Sequence, residues 1–227
     1  MREQKSNSVR ATDLAQPLPI NQTEEGQPVL ARVPGQLRDR LGFAFFAFAA
    51  LLAGILSWEH PSILGWLNTA HNVLVAVLYA VRLPAQKSDR VGLVLGLLAS
   101  LLPVLGMKFP SLAGTRPEAV SVAWTLVGGA GYLLILWSLA RLGRRFGIAP
   151  ADRGLVVSGP YRFVRHPMYT GELLLRLALC AGTSSAPLVF SVLLYIQVLR
   201  ALREEQVIAG YAGYANQVRW RLIPFVF

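Results

Sequence analysis

Two short stretches of the sequence combine basic, acidic and aromatic side chains of the kind that bind ligands. One contains Arg165, His166, Tyr169 and Glu172, and the other is the run Arg203-Glu204-Glu205. The stretches flank two apolar segments, residues 172–182 and 187–202, which are joined by a short turn. Because a helical hairpin brings its two outer ends together, we expect these polar groups to converge in one site.

The remaining chemistry-bearing residues do not form a metal site or a nucleophilic triad. His60, His71 and His166 are scattered along the chain, which argues against ligation of a metal by histidine. The single cysteine, Cys180, excludes an internal disulfide and a cysteine-based zinc cluster. We therefore predict a site without a metal.

The elements that position this site are predicted to be membrane helices. The chain is 54% hydrophobic and only 15% charged, and its mean hydropathy is positive. Apolar runs at residues 41–58, 63–83, 91–107 and 119–139 precede the hairpin, which is too short for two upright spans and fits a tilt. The sequence predicts an all-α, polytopic bundle with about five to six membrane helices and a C-terminal helical hairpin.

Glycines mark the places where these helices are expected to pack closely. Gly92 and Gly96 have the small-xxx-small spacing that lets two helices approach, and Gly128, Gly129 and Gly131 lie at the centre of the fourth run. The second group does not follow a strand, so we reject a dinucleotide-binding loop.

We predict three regions along the chain. Residues 1–37 are a flexible polar tail, residues 38–140 form the N-terminal transmembrane helices, and residues 141–227 form a catalytic region with the cofactor site. The net charge of +10 falls in short segments between apolar runs, which favours anionic lipid over nucleic acid as the partner. Positively charged loops stay in the cytoplasm, so both termini and the candidate site are predicted to be cytoplasmic.

Three motifs resemble a known group of enzymes. They are Gly-Pro-Tyr-Arg-Phe-Val-Arg-His-Pro-Met-Tyr-Thr-Gly at 159–171, Arg203-Glu204-Glu205, and Arg-Trp-Arg-Leu-Ile-Pro at 219–224. Together they resemble the isoprenylcysteine carboxyl methyltransferases and related phospholipid methyltransferases. The stretches at 142–147 and 153–156 look like bacterial members, which places the protein in a bacterial inner membrane. The resemblance covers residues 139–227.

The resemblance implies an integral-membrane enzyme that uses S-adenosylmethionine as its cofactor and methylates a lipophilic or membrane-associated acceptor. The residues matching the family's cofactor motif are His166, Pro167, Tyr169 and Gly171, with Tyr161, and with Glu204 and Glu205 completing the pocket. Arg165 and Glu205 match the catalytic positions. The sequence departs from the family at Gln217, where many members have a second tyrosine, and in its unusually arginine-rich loop.

The chemistry of methyl transfer requires little beyond alignment and a partly dry pocket. A carboxylate or thiolate acceptor is already a nucleophile, whereas an amine acceptor must lose a proton, for which Glu205 or His166 is available.

Two alternatives remain at this point. The first is an NADPH-dependent membrane sterol or enone reductase, whose C-terminal half has a similar His-Pro-x-Tyr-x-Gly motif. The second is a non-catalytic membrane protein whose arginines and aromatic residues only anchor it to anionic lipid. The sequence leaves open the acceptor, the oligomeric state and whether the hairpin crosses the bilayer.

Overall fold

The computed structural model describes residues 35–85, 87–107, 118–181 and 186–226. These residues form seven α-helices and one short two-stranded ribbon. The helices are α1 (Gly35–Glu59), α2 (Ile63–Val81), α3 (Arg90–Met107), α4 (Glu118–Leu142), α5 (Pro167–Cys180), α6 (Ala186–Val207) and α7 (Tyr211–Gln217). The ribbon pairs β1 (Lys87–Ser88) with β2 (Ala151–Asp152) in antiparallel register.

The predicted helical membrane fold is confirmed. Within the described ranges, three helical stretches are long and apolar enough to cross a bilayer: Gly35–Glu59, Ile63–Val81 and Ser121–Arg145. Large apolar side chains on their outer faces, such as Phe48 and Leu126, are exposed as lipid-facing residues are. Whether α3, α5 and α6 also cross the membrane stays a prediction.

The helix boundaries follow from local sequence signals. Ser62 precedes α2, and its hydroxyl accepts a hydrogen bond from the Gly65 amide at 3.0 Å, which caps the helix start. α5 begins at Pro167, earlier than the predicted residue 172, because proline lacks an amide donor and suits the first helical position. α1 begins at Gly35, so the last three residues of the predicted tail are helical, and residues 1–34 lie outside the described part of the chain.

The helices pack as a chain of neighbours. α1 lies along α2, α2 contacts α4, α4 lies along α5, and α6 contacts both α5 and α3. Gly131 of α4 meets Gly171 of α5 so closely that a Cβ on Gly131 would lie 2.8 Å from the Gly171 carbonyl oxygen. This contact agrees with the close packing expected of the α4 glycines.

The glycines of α3 approach a loop and not a helix, which corrects our expectation. A Cβ on Gly92 would lie 2.5 Å from a Pro150 side-chain atom, and one on Gly96 would lie 2.7 Å from Ile148. Small residues permit close approach to any backbone, and here the partner is the connection that follows α4.

That connection is bound to the α2–α3 connection at one end of the bundle. The Leu83 amide donates to the Arg144 carbonyl at 2.7 Å, and the Asp89 amide donates to the Pro150 carbonyl at 2.9 Å. Arg82 also forms an ion pair with Asp39 near the start of α1. The basic loops, which the sequence assigned to one side of the membrane, therefore gather at one end of the molecule.

Candidate active site

The start of α5 is paired with a distant stretch of chain, residues 218–222, which we call the C-terminal segment. The Arg165 amide donates to the Trp220 carbonyl at 2.8 Å, and the His166 amide donates to the Arg221 carbonyl at 2.9 Å. The Thr170 hydroxyl continues this pairing with a 2.6 Å bond to the Leu222 carbonyl. These bonds fix the C-terminal segment against the predicted motif.

Glu205, near the end of α6, accepts hydrogen bonds from three side chains. Arg221 binds both carboxylate oxygens, from Nε at 3.0 Å and from Nη2 at 3.2 Å. Arg165 Nη1 lies 3.3 Å and His166 Nε2 lies 3.4 Å from Oε1. Burial alone would raise the pKa of Glu205, but the hydrogen bonds from His166 and Arg221 outweigh it and lower the pKa to about 2.

The neighbouring acid, Glu204, faces a different set of groups. The Tyr169 hydroxyl donates to Glu204 Oε2 at 2.6 Å, and His166 Nδ1 lies 3.6 Å from the same oxygen. Burial opposes ionisation of Glu204, yet the contacts with His166 and Tyr169 lower its pKa below the ordinary value. Both acids are therefore ionised near neutral pH.

His166 is held between two tyrosine rings and two carboxylates. Its ring stacks on Tyr169 at 5.4 Å and on Tyr211 at 6.0 Å between centroids, and the side chain is 4% exposed. The Tyr211 hydroxyl lies 3.0 Å from Nε2. Burial lowers the pKa of His166, but the hydrogen bonds with Glu204 and Glu205 outweigh this effect and raise the pKa above its ordinary value. The imidazole is thus fixed in position and favoured in its protonated form.

Arg165 binds the backbone at the end of α7 and directly after it. Its Nε donates to the Val218 carbonyl at 2.6 Å, and its Nη2 donates to the carbonyls of Ala215 at 3.0 Å and Arg219 at 3.2 Å. The last carbonyls of a helix lack partners within the helix, so a guanidinium is well suited to this place. The observed contacts of Arg165 hold the C-terminal segment in place.

A small, partly open cavity lies between the loop after α4 and the start of α5. Its walls come from the loop and from the predicted motif. The lining residues are Leu142, Arg145, Gly147, Ala149, Ala151, Arg153, Tyr161, His166, Met168, Tyr169 and Glu204. Four predicted cofactor residues thus share one cavity: Tyr161, His166, Tyr169 and Glu204.

The other predicted site residues lie outside the cavity lining. Glu205 lies behind His166, which lines the cavity, and Arg165 contacts Glu205 and the C-terminal segment. Pro167 is buried as the first residue of α5. Gly171 faces α4, where a Cβ on this glycine would lie 2.7 Å from the Gly131 carbonyl oxygen.

Two residues that we expected in the polar cluster point elsewhere. Glu172 accepts a bond from Arg200 Nη1 at 3.2 Å and a short one from Gln197. Arg203 is 46% exposed and lies 3.9 Å from Asp89. Successive residues of a helix are rotated by about 100°, so Arg203 cannot share the direction of the two acids that follow it.

Comparison with known families identifies the region around this cavity. Residues 119–212 match the family described as phospholipid methyltransferase. This part of the chain, less than half of its length, is similar to that family. The match agrees with the resemblance drawn from the motifs, and together with the apolar helices it supports a membrane protein related to methyltransferases. No curated protein matches the chain.

The methyltransferase domain match spans α5 and α6 with both acids, but it ends ahead of the C-terminal segment. The structure shows that residues beyond the match complete the same cluster, since Arg221 binds Glu205. Within the described residues, no group of three His, Cys, Asp or Glu side chains is arranged to hold a metal ion.

Several residues of the candidate site were not selected from the sequence. Arg200 lies over the Tyr169 ring at 4.4 Å, and its spacing of four residues from Glu204 on α6 was a usable signal. The Tyr214 hydroxyl donates to the Tyr161 carbonyl at 2.6 Å, and Tyr211 stacks on His166. Nothing in the local sequence around α7 indicated these two contacts.

Proposed function

We propose that the protein transfers a methyl group from S-adenosylmethionine to a lipophilic or membrane-associated acceptor. The observation that supports this most is the cavity at the loop end of the apolar bundle, lined by four residues of the family motif. A site in this position is accessible to a soluble cofactor and to an acceptor that resides in lipid.

The cavity suits the chemistry of S-adenosylmethionine, which carries a sulfonium, an ammonium group and an adenine ring. Glu204 supplies a carboxylate whose side chain is 27% exposed, and only its Oε2 accepts bonds from the described residues. Tyr161 offers an aromatic wall, and Gly147, Ala149 and Ala151 let a ligand approach the backbone. When bound, the cofactor supplies a methyl group activated by the positive sulfur.

We assign distinct roles to the two acids. Glu204 lines the cavity and would face the cationic groups of the cofactor. Glu205 is bound by Arg221, Arg165 and His166, so it would act through them by fixing the imidazole and the C-terminal segment. Arg165 has a similar positioning role, since it binds carbonyls at the end of α7 and directly after it.

The ionisation of the site favours an acceptor that is already a nucleophile. The pKa of His166 is raised and the pKa values of Glu204 and Glu205 are lowered, so none of the three is a strong base near neutral pH. Each is also engaged by neighbouring groups. An isoprenylcysteine-like carboxylate needs no base, whereas a phospholipid amine must first lose a proton.

Binding of S-adenosylhomocysteine to detergent-solubilised protein, measured by calorimetry, tests the cofactor. Glu204→Gln should weaken binding at least about tenfold, because it removes a charge-assisted contact from the cavity. Glu205→Gln and His166→Ala should weaken it as well through loss of the ordered imidazole. Glu59→Gln, a change at the exposed last residue of α1, is the matched control and should bind as the wild type does.

Two results would contradict the proposal. Tight binding of NADPH without binding of S-adenosylhomocysteine would indicate a reductase. Absence of binding for both cofactors would favour a non-catalytic membrane protein. Transfer of a radiolabelled methyl group to a farnesylcysteine carboxylate, compared with phosphatidylethanolamine, then discriminates between the acceptor classes.

A further inference from the structure

The arginine-rich loop after α4 places two guanidinium groups in the wall of the cavity. Arg145 lies in the turn that follows α4, and Arg153 follows β2. Both side chains line the cavity that also contains Glu204 and His166. Arg153 is half-buried, and its Nε donates to the Leu83 carbonyl at 2.9 Å, which fixes the guanidinium in place.

Neither guanidinium has an acidic partner. In the part of the chain that the structure describes, no carboxylate oxygen lies within 4.0 Å of Arg145 or Arg153. Other arginines at this end differ, since Arg82 pairs with Asp39 and Arg221 pairs with Glu205. Arg145 is exposed, whereas Arg153 is half-buried. A partly buried cation without a carboxylate in contact is unfavourable, so an anion beside Arg153 would be stabilising.

Two glycines make room for these side chains. A Cβ on Gly147 would lie 2.6 Å from Arg153 Nη1, and one on Gly154 would lie 3.1 Å from Arg145 Nε. Gly154 has a φ of +91°, a conformation that favours glycine. The Arg153 side chain therefore passes over Gly147, and the Arg145 side chain passes over Gly154. Both arginine side chains reach the cavity wall.

The charges of the cavity are divided between its walls. The loop contributes Arg145 and Arg153, and the helical side contributes Glu204, whose Oε2 is already bonded to Tyr169. Burial, together with the nearby charge of Arg82, lowers the pKa of Arg153, and the charge of Asp39, which is paired with Arg82, only partly opposes this effect. A ligand with an anionic group on the loop side matches this arrangement.

We infer that Arg145 and Arg153 form an anion-binding site for a carboxylate or phosphate group of the ligand that occupies the cavity. Planar guanidinium groups suit both anions because their donors match the spacing of the oxygens. The carboxylate of the cofactor's amino-acid part and the phosphate of a lipid headgroup are the two sources of this chemistry. The inference rests on the proposed function in that it concerns the same cavity.

The first arm of the test asks whether the anion belongs to the cofactor. Binding of S-adenosylhomocysteine is compared with binding of 5′-methylthioadenosine, which lacks the amino-acid carboxylate, in Arg145→Gln and Arg153→Gln. If the carboxylate is bound here, each variant loses about tenfold to hundredfold in affinity for the first ligand and retains its affinity for the second.

The second arm asks whether the anion belongs to a lipid. Dioctanoyl-phosphatidylglycerol and the uncharged dioctanoylglycerol are titrated into the same detergent-solubilised variants. A loss of about tenfold or more that is specific to the charged lipid would assign the site to a headgroup phosphate. Arg162→Gln removes an equal charge from an exposed position of the 159–171 motif that does not line the cavity, and it should leave both arms unchanged.

The inference is overturned if Arg145→Gln and Arg153→Gln both bind the nucleoside ligands and the lipids with the same affinities as Arg162→Gln does. If the wild type binds neither nucleoside ligand, the proposed function fails, and the lipid arm alone decides the anion site. Gly147→Ala provides a second route if Arg153→Gln does not fold. Its methyl group would displace Arg153 Nη1 and should reproduce the loss of anion affinity with the arginine still present.

Discussion

Glu204 and Glu205 show how two adjacent residues of one type can have different functions. Glu204 faces the cavity and receives the Tyr169 hydroxyl, whereas Glu205 is enclosed by Arg165, Arg221 and His166. The ionised Glu205 carboxylate stabilises the folded state because folding brings its three cationic neighbours into contact with it. At the residue scale, Glu205 links α5, α6 and the C-terminal segment.

The pKa shift of Glu205 gives a prediction about stability. Because its folded-state pKa of about 2 is below the ordinary value, its contribution is present above about pH 4.5 and is lost as pH falls toward 2. Glu205→Gln should therefore be less stable than the wild type by about 1–3 kcal/mol at pH 6, with the difference shrinking as the pH falls. Thermal unfolding in detergent between pH 6 and pH 3 measures this, with Glu59→Gln as control.

The pKa of His166 is shifted in the opposite direction and affects stability in a different pH range. Because this pKa is raised, the contribution of His166 to folding stability is complete below about pH 6.5 and is lost as pH rises through the folded-state pKa. The titration of Glu205 lies well below this range. A stability difference for Glu205→Gln that stays constant down to pH 3 would contradict the assigned contacts.

At the scale of elements, α4 and α5 depend on the absence of side chains at their contact. Gly131 and Gly171 meet backbone to backbone, so α5 lies close against the apolar helix α4. This contact sets where α5 begins relative to α4 and hence how wide the cavity between the α4 loop and His166 is.

Gly131→Ala should destabilise the protein by about 1–3 kcal/mol, because the added methyl group would lie 2.8 Å from backbone atoms of α5 that cannot move aside independently. Gly129→Ala is the matched control on the same helix. A Cβ there has no atom within 4 Å, and alanine is the better helix former, so its stability should be equal or higher. Equal melting temperatures for the two variants, measured in detergent, would argue against the close contact.

At the scale of the whole molecule, the described loops that carry the site gather at one end of the apolar helices. The connection between α1 and α2 lies at the other end, since each helix is long enough to span the bilayer. We expect this end to face the cytoplasm, because it carries the basic residues and basic loops stay in the cytoplasm under the positive-inside rule.

This orientation is testable by cysteine labelling in a Cys180→Ser background. His60 and Val157 are both exposed and lie at opposite ends of the bundle. A membrane-impermeant maleimide should label His60→Cys from the outside of intact spheroplasts and should label Val157→Cys only in inverted vesicles. The reverse pattern would place the candidate site outside the cytoplasm.

The sequence by itself determined the class of protein and the position of the motif. Local signals were enough for this, namely the apolar runs, the basic loops and Pro167 at the start of α5. Membrane insertion itself depends on local hydropathy and charge. These signals predicted α2, α3 and α4 closely but began α1 several residues too late. The hairpin geometry placed the two acids near His166, as the structure has them.

Only the tertiary structure decided what each polar group contacts. Glu204 and Glu205 are equivalent in the sequence, and the rotation of α6 determines which one faces the cavity. Arg165 binds carbonyls 50 residues or more away, and Gly96 approaches a loop although its spacing is typical of a helix contact. The physical reason is that side-chain direction is set by how each helix packs on its neighbours, and packing depends on residues far apart in the chain.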